Sequence, residues 1–354
     1  MAQVKSGTVS TRLDKITGLP VQETMTDVSG AEQGQHSYIY DGRNRLREEK
    51  DTDGNITTYH YDLFDREVSR TLADGTVVTR EYTPDSGNGQ VSAIKIRGPG
   101  TDGKTLTMGQ REYDSLGRLT REISGGRMTG YRYEGTSPVP VEITFPPGKS
   151  LNYDYIPELR NVLSCVSGEG INQTYDYDNL TGALLSAGEA DTGYDCAWSP
   201  SGKLIQEQFT RPDSKRQADY TSTLGSAPLS YTDITGAQTC YTRDEYGWVT
   251  GIQDSALDVV LNYDALKRLS VQTVTDRACG AQLTTAFEYD DFSREISRTL
   301  TDSKEATLTT EMHRLKNGLL SRRVTRQSST VLKDELYEYD CRHRISGSSI
   351  SMMR

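Results

Sequence analysis

The sequence predicts an all-β chain, built from tandem β-hairpins that continue into one antiparallel sheet. Three observations predict it. Aromatic residues recur at i and i+2, as in Tyr38/Tyr40, Tyr59/Tyr61, Tyr131/Tyr133, Tyr153/Tyr155, Tyr175/Tyr177, Phe287/Tyr289 and Tyr337/Tyr339, and period two places both rings on one face of a strand. A short unit of aromatic, Asp, two variable residues, Gly or a substitute, Arg and Leu repeats along the chain. No stretch shows a sustained 3.6-residue apolar period bounded by caps.

The repetition is the strongest signal. Tyr61 to Asp74 and Tyr289 to Asp302 agree at 10 of 14 positions although 228 residues separate them, so duplication accounts for them better than chance. The clearest unit is Tyr113-Asp114-Ser115-Leu116-Gly117-Arg118-Leu119. Others begin at Tyr40, Tyr61, Trp198, Arg243, Tyr263, Tyr289 and Tyr339, and a variant one residue longer begins at Leu13, Tyr177 and His313. Degenerate copies at Tyr82, Tyr133, Tyr155 and Tyr220 complete fifteen units spaced 20–31 residues apart. No composition shift marks a boundary, so residues 1–354 are expected to form a single array with no separate catalytic domain.

Within a unit each residue type has a physical task. The carboxylates of Asp41, Asp62, Asp114, Asp178, Asp264, Asp290 and Asp340 can accept from backbone N–H groups two residues on, which opens a turn. Asn44, Asp65, Gly117, Gly202, Gly247 and His343 stand four residues after the unit's start, and Gly182 five after Tyr177. They are the types that best tolerate φ > 0, as a hairpin closing through a left-handed residue and a bulge requires. Lys267 and Ser293 suit that position less well. Arg45, Arg66, Arg118, Arg268, Arg294 and Arg344 follow it, and can pair with the Asp of their own turn or with a carboxylate of a neighbouring unit; as exposed pairs these would contribute little. A strand such as Leu119–Ile123 then begins, and loops at Asp74-Gly75, Asn88-Gly89 and Gly125-Gly126 turn the chain back. Repeated from unit to unit, the rings are expected to form ladders of cross-strand aromatic contacts.

At these residues the sequence resembles the Rhs/YD-repeat family, and the copies at Tyr40, Tyr61, Tyr113, Tyr177, Tyr263, Tyr289 and Tyr339 carry its pattern. The resemblance implies one continuous antiparallel sheet wound as a spiral, the wall of a hollow shell that in bacterial members encloses a toxic C-terminal domain. It implies a secreted or cell-surface protein whose partners are the remaining shell repeats or an encapsulated toxin, with surface recognition of carbohydrate or a partner protein as the alternative. No Asp-Pro occurs, so a self-cleaving aspartate is not carried over. The chain resembles a segment of a shell, or a truncated member.

Composition agrees with a wet sheet. Hydrophobic residues make up 34% and mean hydropathy is −0.65, low for a large compact core. Disorder at this polarity is opposed by the small net charge of −10 and by 21 Tyr. A pI near 5.1 offers no basic stripe for nucleic acid. The five cysteines, at 165, 196, 240, 279 and 341, form no Cys-x-x-Cys and are odd in number, which disfavours a disulfide framework or structural zinc. No segment approaches 18 apolar residues, and no Sec signal is visible in Met1 to Pro20.

Two segments invite chemistry. Gly98 to Thr105 matches the phosphate-loop pattern with Lys104 in the lysine position. That pattern needs a helix after it, and Leu106 to Tyr113 reads as a strand, so an enlarged hairpin loop is expected instead. Asp51-Thr52-Asp53-Gly54-Asn55 has the flavour of a calcium loop with its glycine misplaced, and is expected to be a hairpin turn. The four histidines, His36, His60, His313 and His343, make no metal motif. No catalytic, cofactor or metal residue is assigned, and the chain is not expected to be an enzyme.

Overall fold

A computed structural model describes residues 6–84 and 89–352; of the expected Asn88-Gly89 loop, Asn88 lies outside the described residues. Thirty strands, from Thr8–Leu13 to Ile345–Met352, form one antiparallel sheet in which strands pair with their neighbours in sequence. Two short 3-10 turns, Pro99–Thr101 and Pro157–Leu159, are the helical elements among the described residues. The all-β expectation is met.

The chain packs as two compact units. One comprises Met1–Glu81, Ile94–Thr107 and Val259–Arg354; the other comprises Tyr82–Ala93 and Met108–Asp258. The first unit gathers stretches from both ends of the chain, a grouping that a local repeat cannot reveal. The sequence showed no boundary.

The hairpins close as the turn chemistry demands. Asp41 N donates to Arg45 O at 2.9 Å and Asn44 N to Asp41 O at 3.0 Å, while Asp41 Oδ1 accepts from the N–H groups of Arg43 and Arg45. Asn44 (φ 64°), Asp65 (62°), Gly117 (78°), Gly202 (76°), Gly247 (89°) and His343 (58°) are all left-handed, and so are Lys267 (63°) and Ser293 (62°). The surrounding hairpin overrides the reluctance of Lys and Ser. A register shift falls just before the aromatic residue, between Ile39 and Tyr40, His60 and Tyr61, Glu288 and Tyr289, and Glu338 and Tyr339.

The register corrects two unit starts. Arg314, not His313, pairs with Leu320, and Leu315 N donates to Leu319 O, so that unit has the ordinary length with Arg314 in the aromatic place. Ser222, not Tyr220, pairs with Pro228, and Ser226 is the left-handed residue (φ 68°). In both cases a neighbouring residue drew the assignment away from the bulge.

Little is buried. Among the described residues Ala93, Val166, Ala218 and Val324 are the buried apolar side chains. The chain exposes 22695 Å², against ~14,000 Å² for a globular monomer of its mass. The phosphate-loop segment is a turn between strands Val91–Arg97 and Leu106–Tyr113, with no helix after it.

Candidate functional site

The signature residues meet at the seam between successive units. Tyr61 Oη donates to Leu46 O at 2.8 Å, reaching back to the strand that opens the second half of the preceding unit. Tyr113 does the same to Val91 O (3.2 Å), Tyr155 to Pro140 O (2.9 Å), Tyr289 to Leu269 O (2.7 Å) and Tyr339 to Leu320 O (2.9 Å). Trp198 substitutes its indole N–H, at 2.7 Å from Leu184 O. Arg243 and Arg314, in the aromatic place, keep the link through guanidinium bonds to Pro228 O and Glu295 O, each 3.2 Å. Tyr40 and Tyr177 make no such bond.

The arginines reach forward. Arg45 binds its own Asp41 through Nε at 2.7 Å, donates to Asp62 O and Asp65 Oδ1 of the next unit, and lies over the Tyr61 ring at 4.8 Å. Arg118 holds Asp114 and lies 4.5 Å over Tyr133; Arg268 holds Asp264, donates to Asp290 O, and lies 4.7 Å over Tyr289. Arg66, Arg294 and Arg344 hold Asp62, Asp290 and Asp340. Apart from Arg344, these arginines keep 17–30% of their side-chain surface, so the expectation of weak exposed pairs is corrected: the pairs are half-buried, and those of Arg45, Arg118 and Arg268 are shared with the next unit. The Arg45 guanidinium and the Arg45 N–H hold Asp41 down to about 2, and Arg344 does the same for Asp340.

The expected aromatic ladders are largely absent. Signature rings of successive units stand two strands apart, too far for contact, and a guanidinium fills the gap. Ring pairs form among the described residues at Tyr194–Phe209 (5.0 Å) and Tyr220–Tyr231 (5.2 Å). Several other tyrosines turn to a carboxylate: Tyr38 to Glu23, Tyr59 to Glu49, and both Tyr194 and Tyr220 to Glu207. Burial first raises these phenols above their ordinary range, followed by the adjacent carboxylate at Tyr38, Tyr59 and Tyr220 and by Cys196 and then Glu207 at Tyr194.

A second set of contacts joins distant parts of the first unit. Gly7 N donates to Asp291 O at 2.8 Å, and Val28 N to Asp291 Oδ2 at 3.1 Å. Asp53 Oδ2 accepts from Asn317 Nδ2 at 2.5 Å and lies 3.1 Å from His343 Nε2. Arg342 Nη1 binds Asp74 Oδ2 at 3.1 Å. Asp51, Asp53 and His343 are the group of metal-ligating type among the described residues, with donor atoms within 4.8 Å of one another. Asn317 and His343 already donate into it, and its geometry is that of a hydrogen-bonded clasp. The sequence correctly read Asp51–Asn55 and His343 as turns, but gave no sign that they meet.

The sheet and its seams define a tandem YD-hairpin array. The family description "RHS Repeat" matches residues 40–77. A curated relative, "Probable deoxyribonuclease RhsB" of Dickeya dadantii (strain 3937), is 26% identical over 239 residues, 66% of this chain and 14% of that protein. Two solved structures share the fold at TM-score 0.62. "TcdB2-TccC3-Cdc42" is 14% identical over 97% of this chain and 19% of its own. The "Photorhabdus luminescens Tc holotoxin pore, Mutation TccC3-D651A" is 11% identical over 96% and 22%. The chain thus spans less than a quarter of the length of each of these. Residues 40–77 carry an RHS repeat by that match, and the rest of the chain shares the fold of these structures. No helix among the described residues is long and apolar enough to cross a membrane.

Proposed function

We propose that this chain is a length of wall in the shell of a secreted, toxin-like Rhs protein, and that it helps to enclose an effector without chemistry of its own. The seam carries the reading. Tyr and Arg of the well-formed units are spent on neighbouring units, where they tie one hairpin to the next. Such bonds make a thin sheet continuous, which a wall needs and a catalytic centre does not. The nuclease activity in the name of the Dickeya relative belongs, on this reading, to a region other than the repeats. Its partners are further shell repeats and the enclosed effector.

The test uses the polypeptide of the complete reading frame, treated with proteinase K. The enclosed region should resist digestion while the array is folded, and lose that protection in an Arg118→Ala/Arg268→Ala double variant. Digestion at the same rate with the array intact would overturn the proposal. A second reading, surface recognition of a carbohydrate or a partner protein, is favoured by one observation: the aromatic cavity around Phe209, Tyr220 and Tyr231 in the second unit. Saturable binding on a glycan array, lost in Tyr231→Ala, would support it; an array with no signal would remove its carbohydrate form.

A further inference from the structure

The two copies that agree at 10 of 14 positions, Tyr61–Asp74 and Tyr289–Asp302, differ in the strand that follows each. In the earlier copy Arg70 holds Glu67 through Nε at 2.7 Å and Nη2 at 3.0 Å, and Arg80, from the next strand, places a second guanidinium on the same carboxylate. In the later copy Arg298 holds Glu295 in the same way, at 2.9 and 3.0 Å. Val78 stands opposite Arg70 and Thr310 opposite Arg298, so Met312 takes the place of Arg80. Methionine cannot supply the second guanidinium. A cavity of about 370 Å³ lies there instead, within the ~300–1,000 Å³ range of small-ligand sites.

The cavity is walled by strands Glu295–Asp302, Thr307–Arg314, Leu320–Gln327 and Thr330–Tyr339 of the first unit. Arg298, Thr310, Thr325 and Lys333 are successive register partners, so one row carries a cation at each end and two hydroxyls between. Neither hydroxyl is committed to another of the described residues. Met312, Arg323 and Glu335 form the row beside it. Arg323 Nε and Lys333 Nζ converge on Glu335, at 2.6 and 2.9 Å, and this glutamate is only 5% exposed. That buried anchor fixes both cations at the wall, and each keeps N–H groups to spare, since a lysine has three and an arginine five. Arg298, Arg323 and Lys333 against Glu295 and Glu335 leave a charge of +1 here, in a chain whose net charge is −10.

We propose that this cavity binds inorganic phosphate. The three cations draw the oxyanion in and donate to its oxygens, as do the hydroxyls of Thr310 and Thr325; hydrogen bonds between charged partners are the stronger class. The carboxylates then choose among oxyanions. Phosphate keeps a proton near neutral pH and donates it to Glu295, the more exposed of the two glutamates. Sulfate has no proton to give and meets the same carboxylate as a like charge. A phosphomonoester, whose second pKa is about 6, has also lost that proton near neutral pH. A cationic ligand meets three like charges. The inference is independent of the wall reading, which digestion tests.

The experiment titrates the purified chain with sodium phosphate by calorimetry, near neutral pH in a low-salt buffer free of other oxyanions. Sodium sulfate and O-phosphoserine are the comparisons. Phosphate should bind saturably, and both comparisons should be weaker by roughly tenfold or more. Met312→Arg, which restores the residue of the earlier copy, should abolish binding. Thr310→Val/Thr325→Val should weaken it by roughly tenfold. Urea midpoints of both variants establish that they are folded. No saturation with phosphate up to about 10 mM, or undiminished binding in the folded Met312→Arg or threonine variant, would overturn the proposal. Sulfate or O-phosphoserine binding as tightly as phosphate would overturn the assignment to the free, protonated ion.

Discussion

Arg268 grips Asp264 of its own turn at 2.7 Å and lies 4.7 Å above the ring of Tyr289, the aromatic residue of the following unit. Tyr289 in turn reaches back to Leu269 O, one residue beyond that arginine. The unit at Tyr263 therefore holds the next twice, once by a cation over a ring and once by a hydroxyl on a backbone carbonyl. The same double tie joins the units at Tyr40 and Tyr61, through Arg45 and Leu46.

Arg268→Lys keeps the charge and loses both the planar fork and the stacking face. It should lower stability by about 0.5–1 kcal/mol from the cation–π contact alone. Urea unfolding of parent and variant measures it, and a lysine that matched arginine would show the contact to be idle.

Tyr289→Phe removes one hydroxyl and leaves Leu269 O without its donor. The expected cost is about 0.5–1.5 kcal/mol. Tyr339→Phe, at a separate seam, should cost a similar amount, and the double variant should show the sum. Lys104→Ala serves as the contrast: it should shift stability by less than about 0.5 kcal/mol, and ATP with magnesium should not raise the melting temperature of either protein.

Acid should loosen the array. The Asp41 and Asp340 carboxyls sit at about 2, below the ordinary 3.8, because Arg45 and Arg344 bind the ionised form. A carboxyl depressed by folding supports the fold at pH above its unfolded value, and that support is lost as pH falls through the folded value. Stability should be level above pH about 5 and decline between about 4 and 2. Asp340→Asn should flatten part of that decline in a pH series of urea midpoints.

Asp53→Ala removes the acceptor shared by Asn317 and His343. Amide exchange should quicken in the turn Asp51–Asn55 and around His343. It should remain unchanged in strand Leu204–Arg211 of the other unit. Uniform quickening across the chain would mean that Asp53 acts through global stability and that no clasp exists.

The hairpin was legible because its signals are local. Asp at the turn start, a left-handed residue beside Arg, and tyrosines at period two all lie within a few residues of what they shape. Lys267 and Ser293 took the left-handed position because position in the unit outweighed residue type. Two kinds of information were not legible. Arg314 and Ser222 stand at the bulge without a ring to mark them, while the rings of His313 and Tyr220 lie just before it, so residue type and bulge position disagree there. The clasp of Asp53 and His343, 290 residues apart, and the cavity beside Ala218 depend on how hairpins lie against one another, which no period in the sequence encodes. A signal for the cavity existed in Gly193 and Ala218, small residues facing large ones, but it requires the register first.

The contact between Asp53 and His343 sets a phase. Seams that pass only between adjacent hairpins are indifferent to how many hairpins there are, so copying a unit, as Tyr61–Asp74 and Tyr289–Asp302 record, leaves every other seam intact. Copying one between residues 53 and 343 would instead carry His343 a full hairpin past its acceptor. Growth of the array at that place is thus quantised, and descendants that keep the clasp should have gained or lost sequence outside the interval it spans.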